Sequence, residues 1–254
     1  MKKLLKKLAL LPLFCGLILT SACSNDDENG NDNNNDIPTG WFDGTITATV
    51  VDGNEYNDLI SGVEAVGLTF VDGGDIETIA TGTWANGGFT ITLPATLDNR
   101  FLFRIGDEFE SDPDLLDFTV SNMDAMATIF DGIAIRALDS DGNSLGSIWH
   151  YRENASSHII YVDRDVIISG TFYYDGFSEV WNISFRRGWN KLYIVERETA
   201  TGFEELRTTE YISGFRWYFW NLEDGIFRNC IVGFAPMATK STTQSRSFFS
   251  RLGR

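Results

Sequence analysis

Beyond residue 40, apolar and polar side chains alternate with a period of two, and short glycine- and asparagine-rich breaks interrupt the alternation. Successive side chains of a strand point to opposite faces, so this pattern predicts half-buried strands rather than helices. Residues 44–51 alternate and stop at Asp52-Gly53; residues 62–71 alternate and stop at Asp72-Gly73-Gly74. Residues 77–84 and 89–94 flank Asn86-Gly87-Gly88. Asn-Gly between two alternating runs predicts a tight hairpin, because both residues tolerate positive φ.

The same signal continues over 145–151, 158–162, 166–174, 180–185, 191–195, 206–211 and 215–220. Turns are expected at Asp175-Gly176, at residues 186–190 and across the polar stretch 197–205, giving a meander whose consecutive strands pair antiparallel. Short strands at this spacing predict an all-β chain of antiparallel β-sandwich architecture, arranged as two β domains in tandem. The expected boundary is the acidic stretch 106–124, with Asp107, Glu108, Glu110, Asp112 and Asp114, separating domains at 37–105 and 125–222. Residues 125–138 are largely apolar with a break at Gly132. The Asp139-Ser140-Asp141-Gly142-Asn143 turn that follows resembles part of a calcium loop. Its twelfth position is His150 where an EF-hand has Glu, so a plain hairpin turn is the expectation.

Both ends of the chain break the pattern. Lys2, Lys3, Lys6 and Lys7 precede an apolar run over 8–19. That run is too short for a mature transmembrane helix, which needs about 20 residues, and it predicts a signal peptide over 1–22. The end of the run, Leu19-Thr20-Ser21-Ala22-Cys23, resembles a bacterial lipobox. The resemblance implies that Cys23 is diacylated and that the membrane is a partner through this anchor. Thr20 stands where the family usually has Leu, and an ordinary cut after Ala22 would give a plain secreted protein instead. Residues 24–36 carry no apolar side chain, so 23–36 are expected to form a disordered acidic tether. Ser24 followed by Asp26-Asp27-Glu28 resembles the export signal of Bacteroidetes lipoproteins, which implies an address on the outer face of the outer membrane. From 236 to 254 the chain is basic, with Lys240, Arg246, Arg251 and Arg254 and no acid, and a disordered tail is expected.

Two internal stretches carry further resemblances. Residues 44–94 open with Gly44-Thr45-Ile46, continue through Gly62 to Leu68, and end in Gly87-Gly88-Phe89-Thr90-Ile91-Thr92-Leu93-Pro94. This order resembles carboxypeptidase-regulatory-like or transthyretin-like domains, although Trp84-Ala85-Asn86 replaces the usual Thr-Asp before the glycines. It implies a structural or binding module and no catalysis. Over 160–219, Arg187-Gly188-Trp189-Asn190 and Arg216-Trp217-Tyr218-Phe219 are similar to segments of uncharacterised Bacteroidetes surface lipoproteins.

Charge and composition narrow the function. The net charge is −16; the leader holds four of the 20 basic residues and no acid, which leaves 16 basic against 36 acidic residues. A surface of that sign repels polyanions, so nucleic acid is excluded as a partner. Of three cysteines, Cys15 lies in the leader and Cys23 takes the lipid, leaving Cys230 without an intrachain partner. His150 and His158 are the only histidines, and no His-Glu-x-x-His, Gly-x-Ser-x-Gly or phosphate-loop motif is present. No metal, cofactor or catalytic residue is therefore expected. Among seven tryptophans, Trp181 alternates with Ile183 and Phe185 and is expected in the core. Trp189, beside Arg187 and Asn190 in an expected turn, makes a candidate patch for a glycan or protein ligand, or else caps the sheet. The expected function is a lipid-anchored, surface-exposed protein with a binding or scaffolding role. A carboxylate-dependent glycan hydrolase and a structural subunit of a surface appendage remain as alternatives.

Overall fold

The chain was studied as a computed structural model, which describes residues 40–221 apart from 71–73, 112–117, 130–132, 175–176 and 201. The expected signal peptide, Cys23, the tether, Cys230 and the basic tail lie outside the described residues. In chain order the first strands are β1 (Trp41–Phe42), β2 (Thr45–Thr49), β3 (Gly62–Leu68), β4 (Ile76–Ala85), β5 (Gly88–Thr92) and β6 (Phe103–Arg104). A short helix α1 (Ile105–Ser111) follows, then β7 (Thr119–Val120), β8 (Met126–Ala127), β9 (Ile133–Leu138), β10 (Ser144–Arg152) and β11 (Ala155–Val162). The remainder is β12 (Val166–Tyr174), β13 (Phe177–Phe185), β14 (Gly188–Thr199), β15 (Gly202–Thr208) and β16 (Arg216–Asn221). The molecule is thus mostly β, as the period of two predicts, and its strands join one mixed sheet.

One part of that sheet closes on itself. The order β2-β5-β4-β3-β9-β10 continues into β16, which pairs with β10. A parallel bridge from Trp217 to Val50, just past the end of β2, completes the circuit; there the Val51 amide donates to the Trp217 carbonyl at 2.9 Å. Ile46, Val63, Trp84, Ile91, Ile135, Ile148 and Trp217, one from each of the seven strands, fill its core. The β4–β5 hairpin turns on Asn86 (φ 53°) and Gly87 (φ 72°), two left-handed residues in a row. This is the type I′ geometry that Asn-Gly favours.

The rest of the sheet runs β11-β14-β15-β13-β12-β7 around a second core of Ile160, Val162, Ile168, Trp181, Ile183, Phe185 and Leu192. Strand β11 is the wall between the two. Its Ile159 and Tyr161 enter the first core and its Ile160 and Val162 the second, so both faces are buried. A strand covered on both faces reads as a continuous apolar run, which is what Ile159-Ile160-Tyr161-Val162 is.

Three expectations are corrected. The division into two tandem domains is not seen, because β3 pairs with β9 from Gly62↔Leu138 to Gly67↔Ile133 across the supposed boundary. The first core also draws on both sides of that boundary. The acidic stretch is not a linker. Ile105 and Phe109 of α1 and the following Phe118 are buried in the second core, while Arg104 receives Asp107, Glu110 and Asp124 at 2.9–3.0 Å. Finally, the late strands are not a simple meander. Strand β14 runs on to Thr199 and β15 starts at Gly202, through the stretch expected to be a turn, and β15 inserts between β14 and β13, pairing parallel with β13.

Candidate functional site

The patch expected around Trp189 does not face solvent. Trp189 and Asn190 belong to β14, not to a turn, and are 2% and 0% exposed. The Trp189 indole enters the first core, where Nε1 donates to the Pro94 carbonyl at 2.8 Å and the ring meets Tyr161 edge-on. The Asn190 side chain is consumed by the preceding turn: Nδ2 donates to the Arg186 and Gly188 carbonyls, and Oδ1 accepts from the Arg186 amide. Of the three residues only Arg187 is exposed. Its segment is held by its own amide, which donates to Asp165 at 2.7 Å.

The β10–β16 ribbon brings together a different set of aromatic residues. The register pairs Ser147 with Trp220, Trp149 with Tyr218 and Tyr151 with Arg216. Side chains directly opposite share a face, so these six form the outer face, and Ile148, His150, Trp217 and Phe219 form the inner one. On the outside Trp149 is 39% exposed, with Trp220 at 5.9 Å between ring centroids, and Tyr151 meets Tyr218 at 6.5 Å. Two tryptophans and two tyrosines thus make a continuous aromatic strip, with the exposed Arg216 at one end. The alternation of 145–151 and 215–220 was legible in the sequence. That these two strands pair with each other, with partners 65 to 75 residues apart in the chain, was not.

On the inner face His150 is buried and stacked on Trp217, with centroids 4.6 Å apart, and Phe215 lies at 5.0 Å. Its Nδ1 has no hydrogen-bond partner. Burial, aided by the charge of Lys191, pushes the imidazole down to about 3, so the ring is neutral. Beside it the sheet forks. Strand β10 pairs with β9 as far as Ile148↔Ile135 and with β11 from His150↔Ser157 onward. Past the fork, β9 stays with β3 and β11 stays with β14. Between the diverging strands lies a cavity of about 350 Å³, lined by Ile133, Ile135, Ile148, Ile159, Trp217 and His150 among others.

A third cluster sits on the β13–β15–β14 part of the sheet. Cross-strand register places Glu179 beside Glu205 and Glu205 beside Glu196. The Arg207 Nε lies 2.7 Å from both Glu179 and Glu205, and its guanidinium covers the Trp181 ring at 5.0 Å. Burial pushes the Glu179 carboxyl up, against the pull of Arg207 and the hydrogen bond from Trp181. Burial likewise raises Glu196, with the charge of Glu205 adding to it. The Asp-rich turn at 139–143 joins β9 to β10. The Asp139 carboxylate accepts from the Asp141 and Asn143 amides and from Asn143 Nδ2, bonds that hold it below the usual range. Among the described residues no group of three or more His, Cys, Asp or Glu could hold a metal ion.

No family model, curated protein or solved structure matches the chain.

Proposed function

We propose that this is a lipid-anchored protein of the Bacteroidetes surface type, exposed at the outer membrane, which holds a glycan on the β10–β16 aromatic strip and does not turn it over. The observation that carries this reading is the strip itself: Trp149, Trp220, Tyr151 and Tyr218 on one outward face. Flat aromatic rings pack against the C–H face of a sugar ring while leaving its hydroxyls in water. Arg216 supplies donors at the end of the strip. The lipobox resemblance at Cys23 and the acidic run after it support the address.

Affinity electrophoresis against a polysaccharide panel tests the binding. Retardation by at least one glycan is expected, and Trp149→Ala should abolish it. If no glycan retards the protein, or if the variant is retarded equally, the reading fails. Proteolysis of intact cells tests the address, and full protection until the outer membrane is permeabilised would refute it.

The hydrolase alternative draws on the clustered Glu179 and Glu205. Both carboxylates converge on one guanidinium nitrogen, which takes the space that a scissile bond would need. This favours an ion network over an acid–base pair.

A further inference from the structure

The fork cavity meets the glycan strip at Ser147 and Trp149, but the chemistry of its buried walls points to another kind of ligand. It opens because β10 exchanges one neighbour for another within two residues, at Trp149, while both neighbours stay bound to partners that lead them apart. Its walls carry apolar side chains on the buried side, Ile133, Ile135, Ile148, Ile159 and Trp217. The half-buried Ser147, Ser157 and His158 lie toward the more open side, with the exposed Trp149. Among the described residues that line it there is no Asp, Glu, Lys or Arg. A charged ligand would lose its hydration there with no partner to replace it.

Among the described residues, the Nδ1 of His150 is a buried side-chain nitrogen left without a hydrogen-bond partner. Buried polar groups are nearly always satisfied, and an exception calls for a reason. A single water would satisfy one nitrogen, yet a water fills only about 30 Å³. The cavity of about 350 Å³ is more than ten times that volume, and it lies within the range of small-molecule pockets, about 300–1,000 Å³.

We propose that the fork cavity binds a small uncharged molecule with an apolar body and one hydroxyl group, the hydroxyl pairing with His150 Nδ1. A hydroxyl donates and accepts, so it serves this nitrogen whether or not it carries the ring proton. The apolar body rests on the isoleucines and on the face of Trp217.

The test uses the full mature chain and two probes of nearly equal shape, p-cresol and toluene. Binding is followed through the ring-nitrogen resonances of the two histidines. Saturable binding of p-cresol with a shift of His150 Nδ1 is expected, and toluene should bind about tenfold or more weakly, since it leaves the nitrogen unpaired. Ser157→Phe, directly opposite His150 across the β10–β11 pair, should fill the cavity beside the imidazole and abolish binding of both probes. Trp220→Ala, on the outer strip and outside the cavity lining, should leave p-cresol binding unchanged even where it removes glycan binding. Equal affinity for the two probes, no saturable binding of either, or binding without a shift at Nδ1 would each overturn the proposal. The wild-type measurements decide it even if Ser157→Phe does not fold.

Discussion

Acidification gives the sharpest test of the buried imidazole. In the unfolded chain His150 takes up a proton near pH 6.5, whereas in the folded chain it does so only near 3. Its folded-state value is depressed, so between those limits the unfolded state holds more protons and stability falls as the pH falls. The slope approaches 1.36 kcal/mol per pH unit. With the full shift, about 2 kcal/mol is lost between pH 7 and pH 5, and a little over 3 kcal/mol by pH 4. Glu179 and Glu196 act in the opposite sense. Their raised folded values favour the protonated native state, so they stabilise as the pH falls toward 4.5. A raw profile mixes these terms, and a comparison with His150→Phe separates them. Phe keeps a planar ring against Trp217 and removes both the titration and the unpaired nitrogen. Urea unfolding at pH 7, 6, 5 and 4 should give a variant at least as stable as the native chain at pH 7. Its advantage should then widen by about 2 kcal/mol by pH 5. Parallel profiles from pH 7 to 4 would refute the claim that His150 is buried and neutral.

Three further outcomes follow from the packing, and a fourth from the lipobox resemblance at Cys23. Trp189→Phe should cost about 2–4 kcal/mol in urea unfolding, from lost volume and an unpaired Pro94 carbonyl, while leaving glycan retardation unchanged. Arg207→Met leaves Glu179 and Glu205 facing each other unneutralised and should cost about 3–5 kcal/mol at pH 7. Part of that loss should return at pH 5, where a carboxyl can protonate. In Gly170→Ala the new Cβ would lie 2.6 Å from Phe118 Cγ, and the displaced ring should lower stability by about 1–3 kcal/mol, read as a fall in Tm. Cys23→Ser should remove palmitate labelling and move the protein from the detergent phase to the aqueous phase; a labelled variant would refute the anchor.

The period of two located most strands within a few residues because it is a local property of each segment. The β4–β5 hairpin was equally legible, since Asn86-Gly87 encodes its left-handed turn in two adjacent residues. Partner choice is not local. Nothing in the spacing of β13, β14 and β15 says that β15 inserts between the other two, and the parallel pairing of Phe177–Asn182 with Phe203–Thr208 is known only from the fold. The acidic stretch misled for a physical reason: carboxylates on one face of α1 mask Ile105 and Phe109 on the other. Trp189 misled because glycine and asparagine beside it resemble a turn, although Asn190 spends its amide on the turn before the strand.

The site and the fold share one cause. Because β11 is buried on both faces, it cannot lie flat against β10 along its whole length and still serve two cores. It joins β10 only from Ala155 to Ser157 and then turns with β14. Strand β9, committed to β3, cannot follow it. The gap at the fork is thus what remains when one sheet wraps two cores, and it falls where β10 places His150 inward and Trp149 outward. A substitution that relieved the double burial of β11, such as Ile160→Thr, should weaken the second core and loosen the fork. The aromatic strip on β10 and β16 should stay in register, because six consecutive pairs from Gly146↔Asn221 to Tyr151↔Arg216 hold it independently of β11.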